Sequence, residues 1–313
     1  MQSPFCLTYN RGMNSLKSKI SIILGVVAVV CLIAGMIIFA GQQIADRESE
    51  ALIESMQAQA QQRQDENSEL ISGGDISGEP IVSSGNVNSE ISGNDIPDSD
   101  NTSTNPPVDK PLADNPYQDS FLANEDMAAW LKIEGTRIDY PVMWTPENET
   151  YYLYKNFEGK EDQNGSLLLD TDSSLNPLTT NLIIHGHNMR DGDMFGTLTD
   201  YENPDYCKQH NIISLYTEDC ERRYEVVAVF RSQVYKKTDQ VFKFYKFFQA
   251  DTDTEFDDFY TNIKKLSLYD TGVTAEFGDH FITLSTCVYH VEQGRFVVVA
   301  KEIEPGDSYK SFR

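Results

Sequence analysis

Residues 20–40 form an uninterrupted run without a charged side chain, in which Ser21 is the only clearly polar member. At about 1.5 Å per residue, a helix of that length crosses a hydrocarbon layer of roughly 30 Å. A cleaved secretory leader has an apolar region of only about 7–15 residues and a small-residue cleavage site, and no A-x-A pattern closes this run. A retained transmembrane anchor is therefore expected. Arg11, Lys17 and Lys19 precede the run without any acid, and Asp46, Glu48 and Glu50 follow it. That asymmetry puts residues 1–19 in the cytoplasm and the bulk of the chain outside the cell membrane.

Beyond the run the chain is acidic. Residues 41–112 carry 14 acids and 3 bases, and residues 113–313 carry 35 acids and 19 bases, within a formal net charge of −24. Phosphate backbones require a cationic footprint, so a nucleic-acid partner is excluded. Of the five cysteines, Cys6 and Cys31 fall on the cytoplasmic side and in the anchor, which leaves Cys207, Cys220 and Cys287 outside. Cys207 and Cys220 either pair or remain two ordinary thiols, and their spacing fits no metal motif. No metal cluster and no glycine loop for phosphates is visible, so no cofactor is expected.

Composition divides the rest. Residues 41–71 are rich in Ala, Gln and Glu with scattered apolar residues, which predicts a polar juxtamembrane helix; no heptad is sustained, so a solvated stalk is expected. Residues 72–116 shift to Ser, Gly, Asn, Asp and Pro, with Ile-Ser-Gly recurring. Such a stretch cannot bury enough apolar surface to offset chain entropy and predicts a disordered linker.

The folded region is expected over 117–313. A short amphipathic helix is predicted at 123–132, leading into an alternating stretch at 133–142 with a turn at Glu134-Gly135. Further strands are predicted at 165–170, 181–185, 211–216, 224–231, 272–277, 281–287 and 295–303, with a helical piece at 194–201. Many short strands separated by turns indicate a barrel or sandwich. Residues 251–268 interrupt the pattern: Phe256, Phe259, Ile263 and Leu266 recur at helical spacing, with acids at the start and Lys264-Lys265 near the end. That is a helix whose charges match its dipole.

The chemistry concentrates at the end of the 281–287 run, which delivers Cys287 at its tip. Arg295 opens the next strand. A guanidinium near a thiol favours the thiolate and can hold a developing oxyanion. A cysteine nucleophile also needs a proton carrier, and the run Asn181-Leu182-Ile183-Ile184-His185-Gly186-His187 ends an apolar strand on a glycine turn flanked by two histidines. His290 sits in the connection after Cys287, where it would modulate the nucleophile, whereas His210 and His280 read as turn histidines.

Thr283-Leu284-Ser285-Thr286-Cys287, Gly186-His187 and Arg295, in that order and on those strands, resemble the sortases, the cysteine transpeptidases of Gram-positive bacteria. The helices before the first strand and between two late strands, with Trp130-Leu131-Lys132-Ile133, Gly135-Thr136 and Tyr140-Pro141-Val142, resemble class B members over roughly residues 117–305. The resemblance implies a mostly β fold, a closed barrel with an N-terminal helix and a helix inserted between late strands, preceded here by the transmembrane helix and the linker. It also implies Cys287 as nucleophile, His187 as proton carrier (the histidine that follows the glycine) and Arg295 as the arginine that binds the signal and the oxyanion. Ser285 and Leu153 are expected to line the substrate groove. The implied partners are surface proteins bearing an LPxTG-like or NPxT-like sorting signal and a peptidoglycan amine presented on lipid II.

Two other classes fit parts of this pattern. A membrane-anchored cysteine protease would hydrolyse the same thioester, but the Cys-Gly-Ser-Cys-Trp context of papain-like enzymes is missing. A non-catalytic adhesin has no need of Cys, His and Arg at converging strand ends.

Overall fold

The computed structural model describes residues 4–72, 115–289, 291–303 and 310–311. His290 and all but the ends of the expected 72–116 linker lie outside the described residues. The first element, α1 (Pro4–Ser72), is one continuous helix. Toward its N-terminal half it is long and apolar enough to cross a bilayer, with Val29, Leu32, Met36, Ile37 and Phe39 exposed.

The remaining elements are α2 (Gln118–Ala123), β1 (Met127–Lys132), β2 (Asp139–Met143), β3 (Leu167–Leu169), β4 (Asn181–Gly186), α3 (Pro204–Gln209), β5 (Ile212–Tyr216), β6 (Cys220–Gln233), α4 (Asp253–Leu266), β7 (Phe281–Cys287), β8 (Gly294–Glu302) and β9 (Lys310–Ser311). The strands run in the order β5-β1-β2-β3-β4-β7-β8-β6, and β5 pairs back onto β6. The result is a closed eight-stranded barrel, with β9 added against the start of β6. Closure is made between β5 and residues 221–225 of β6, and the later residues of β6 run past β5.

Alternation sorts the strand residues into two shells. Leu182, Ile184, Ile282, Leu284, Phe296 and Val298 fill the barrel interior. Phe281, Val297 and Val299 point outward and are roofed by Phe256, Phe259 and Ile263 of α4. That helix begins at a capping box, with the Thr252 side chain accepting from the Glu255 amide and the Glu255 carboxylate accepting from the Thr252 amide. This is the inserted helix expected from the 251–268 spacing.

Several expectations need correction. The segment predicted as a helix at 123–132 divides into the end of α2 and the strand β1. Residues 127–132 are buried on both faces and pair with β2 on one side and β5 on the other. Two ladders outweigh the helix propensity of Met-Ala-Ala. The strand predicted at 272–277 is a loop: Gly272 and Gly278 take left-handed backbones, at φ +80° and +106°, and the part of β6 that β5 leaves uncovered is met by the residues before it, Leu268 N donating to Val229 O and Val229 N to Ser267 Oγ. Val273 and Ala275 instead pack beneath α4. The helical piece expected at 194–201 is a 3-10 turn at Gly196–Glu202, followed by α3, which starts at Pro204 with Asn203 as its cap. Cys207 and Cys220 are free and buried.

The solvated stalk is also overturned. Met56 and Ala60 of α1 are 6% and 2% exposed, packed in a cluster with Tyr117, Trp130, Tyr152 and Phe157 on the outside of the barrel. Leu52, Met56 and Ala60 follow at four-residue intervals, which places them on one helix face. With Ile53, which packs on the same cluster, these four apolar residues among many polar ones make too narrow a stripe to read without seeing its partner.

Candidate active site

The register of three adjacent strands builds the site. Strands β4 and β7 are parallel, with His185 opposite Ser285 and Gly186 opposite Thr286, so the next residues, His187 and Cys287, stand level at the strand tips. In the antiparallel β7–β8 ladder Cys287 is opposite Arg295. Residues 185, 187, 285, 287 and 295 share the outward parity of Phe281 and Val297. His187, Cys287 and Arg295 thus form one row across the outer wall of the barrel.

The row opens into a groove of about 440 Å³, also lined by Leu153, Leu168, Asp170, His185, Tyr245, Lys246 and Ser285. Cys287 is exposed. Its carbonyl accepts a hydrogen bond from Asn188 Nδ2 at 2.8 Å, and Thr286 Oγ1 donates to Gly186 O at 2.8 Å. These two bonds clamp the tips of β4 and β7 together beyond the ladder. Arg295 Nη1 donates to the Gln293 and Gly294 carbonyls, at 3.3 and 3.0 Å. It makes no ion pair among the described residues, so its charge is available to a ligand.

His187 Nε2 lies 2.7 Å from the Leu153 carbonyl oxygen. A carbonyl only accepts, so Nε2 carries the proton and Nδ1 is the nitrogen left for exchange in the neutral ring. Tyr154 flanks the imidazole, with ring centroids 5.3 Å apart. Gly165, at φ +59°, packs on the same carbonyl: a Cβ there would sit 2.2 Å from Leu153 O. Gly165→Ala is therefore expected to lower kcat about tenfold by displacing the acceptor that orients His187, and to lower Tm through a strained left-handed backbone; steady-state kinetics and a thermal melt check both.

His185 makes a different contact. Its Nε2 donates to Asp170 Oδ2 at 3.0 Å. Burial pushes the Asp170 carboxyl up, but the bond from His185, the Asp172 amide, and the charges of His185 and Lys246 outweigh it and hold the carboxyl below its usual value. Ser285 is 2% exposed and its hydroxyl has no partner among the described residues. All five residues expected from sequence (Cys287, His187, Arg295, Ser285 and Leu153) line this one groove. Asn188, Tyr154, Asp170 and Gly165 escaped the sequence reading, because each acts through tertiary or loop contacts that no motif announces. Among the described residues no group of three or more His, Cys, Asp or Glu could hold a metal ion.

The family model of the sortase domain matches residues 131–303, the barrel with its groove. The chain belongs to the sortase family, whose members are in general cysteine transpeptidases. Its similarity runs to class B. Sortase B of Listeria monocytogenes is 34% identical over 184 residues, 57% of this chain and 70% of that protein. Sortase B of Staphylococcus aureus is 30% identical over 186 residues, covering 58% and 72%. Among solved structures, the Staphylococcus aureus sortase B-substrate complex superimposes with a TM-score of 0.54 at 27% identity, covering 61% of this chain and 86% of that one. Sortase B of Clostridium perfringens gives 0.54 at 27%, covering 60% and 99%.

Proposed function

We propose that this chain is a membrane-anchored class B sortase that cuts a C-terminal sorting signal and joins the surface protein bearing it to a peptidoglycan amine. The observation that carries the proposal is the single row of His187, Cys287 and Arg295 at one end of one groove. Similarity to a sortase B solved with substrate supports a peptide in that groove. Similarity to a sortase B complexed with triglycine supports an amine acceptor.

In the first step the Cys287 thiolate attacks the threonine carbonyl carbon of an LPxTG-like or NPxT-like signal. The electron pair moves onto oxygen, where the Arg295 guanidinium stabilises it. Collapse breaks the C–N bond, His187 gives its proton to the leaving amine, and a thioester remains on Cys287. In the second step a peptidoglycan amine, carried on lipid II, attacks the thioester; His187 takes its proton and Cys287 leaves as thiolate. One amide is exchanged for another, so no external energy source is needed. Ser285, with its unpartnered hydroxyl, and Leu153 line the groove for the peptide. The apolar half of α1 is the anchor, with residues 1–19 cytoplasmic and the barrel extracellular.

The test uses the full chain in lipid nanodiscs with a panel of sorting-signal peptides, with and without diaminopimelate- or glycine-type amines, followed by intact mass spectrometry. A peptide-sized adduct on Cys287 that an amine converts into a new amide is the expected result. Hydrolysis at a rate no amine alters would identify a protease instead.

A further inference from the structure

The C-terminal half of α1 touches the barrel at a place that matters for the row. Besides the apolar contacts of Met56 and Ala60, three polar links hold it. Asn156 Nδ2 donates to Ser49 Oγ at 2.8 Å, Gln57 Nε2 donates to Asp139 O at 2.6 Å, and Arg63 pairs with Asp119 at 2.5 Å. Asn156, Tyr152 and Phe157, which share this interface, belong to the same segment, residues 151–166, as Leu153 and Tyr154.

That segment is sandwiched. On one side it carries the residues that meet α1; on the other it offers the Leu153 carbonyl and the Tyr154 ring to His187. Its interior is closely bonded: Ser166 N donates to Tyr152 O at 3.1 Å, Asp162 N to Tyr154 O at 3.0 Å, and Ser166 Oγ to Lys155 O at 2.9 Å. Asn156 Oδ1 accepts from the Glu158 and Lys160 amides while its Nδ2 holds Ser49. A cavity of about 280 Å³ lies between α1 and this segment, lined by Ser49, Leu52, Gln57, Asn156 and Phe157, but the Asn156–Ser49 bond and the cluster of Met56, Tyr152 and Phe157 still join the two. A segment bonded this closely transmits displacement, so the seating of the helix and the position of the Leu153 carbonyl are coupled.

We propose that residues 49–63 of α1 are a positioning element for the proton carrier: docked on the barrel, they seat the 151–166 segment, whose Leu153 carbonyl orients the His187 imidazole. The inference rests on the assignment of His187 as proton carrier. Since α1 is one unbroken helix, the element that seats His187 is also the one that carries the proposed anchor. The barrel is then held close to the bilayer by α1, instead of being lifted away on the residues that follow Ser72.

The experiment compares the full chain in nanodiscs with Met56→Glu/Ala60→Glu, which puts two carboxylates into the buried seam, and with the conservative Met56→Leu. Amide hydrogen exchange reports docking; kcat, KM for the signal peptide and the pH profile of kcat report seating. In the double variant exchange is expected to rise in residues 52–63 and 151–157. Its kcat should fall about tenfold, less than the roughly 10²-fold that a 1 Å misplacement of a reacting group can cost. KM should hold within about twofold, because the orientation of the proton carrier acts on the chemical step and not on peptide binding, and the pH profile of kcat should shift, because the carbonyl that accepts from the imidazole is displaced. Met56→Leu should match the wild type. Gln57→Ala, which removes one half-buried hydrogen bond and leaves the apolar cluster intact, should lower kcat by about twofold.

Raised exchange with unchanged kcat and pH profile would overturn the proposal. So would exchange that does not rise, since two buried carboxylates would then have nothing to undock, and so would a change confined to KM. His187→Ala in parallel separates the two layers: if it keeps wild-type kcat, the assignment of His187 fails. If it is inactive while the undocked variant works normally, only the brace fails.

Discussion

Cys287→Ala abolishes the thioester adduct and lowers transfer by at least about 10⁴-fold, the scale seen when a covalent nucleophile is removed from a catalytic unit. The expectation follows from which thiols the fold leaves available. Cys207 and Cys220 are buried, burial pushes the Cys207 thiol up, and Cys31 lies in the apolar part of α1. Among the described cysteines Cys287 alone stands exposed at the barrel's outer row. The substitution removes Sγ from the groove and leaves the backbone around it in place, because Asn188 holds the Cys287 carbonyl and the ladder to Arg295 is backbone. Peptide affinity is therefore expected to stay within about threefold of the wild type, since truncating one exposed side chain removes little buried area. Intact mass spectrometry reads the adduct and fluorescence anisotropy reads the peptide. Transfer above about one per cent of wild type would place the nucleophile elsewhere.

The outer row was legible because strands announce both their tips and their parity. The run 281–287 ends on cysteine, the run 181–185 ends just before Gly-His, and alternation puts every second residue on the same face. Helix α4 was legible for a similar reason, with its apolar period and matched terminal charges. What failed was whatever depends on a partner distant in sequence. Strand β1 looks helical until β2 and β5 are placed on either side of it. The 272–277 stretch looks like a strand until the left-handed glycines at its two ends turn it and residues 267–268 take up the bonds of Val229. The docked face of α1 consists of Leu52, Ile53, Met56 and Ala60 in a polar sequence, and their partners, Trp130, Tyr152 and Phe157 among them, give that face a meaning. Gly165 carries no local signal at all; its role lies in one close approach to the Leu153 carbonyl.

His187→Ala lowers kcat by about 10²–10⁴-fold, the range for losing a general acid–base, while His185→Ala keeps kcat within about tenfold because its role is structural. Chemistry alone favours the opposite choice, since His185 has a carboxylate partner and His187 only a carbonyl. Register decides. Gly186 is level with Thr286, so His187 is level with Cys287, whereas His185 is level with Ser285, about 7 Å further down strands that rise roughly 3.3 Å per residue. The His185 ring is, moreover, held by Asp170, and the loss of that bond has its own signature. Asp170 sits below its usual carboxyl value in the folded chain. Its contribution to stability is therefore complete above the unfolded carboxyl value of about 3.9 and is lost as pH falls through the lower folded value. In His185→Ala burial is less opposed, the Asp170 carboxyl moves up, and acid unfolding is expected at higher pH than in the wild type. His187→Ala should leave the acid transition in place. Kinetics at neutral pH and an acid titration followed by circular dichroism separate the two histidines. A His185→Ala variant that loses transfer as completely as His187→Ala, with an unmoved acid transition, would hand the proton to His185.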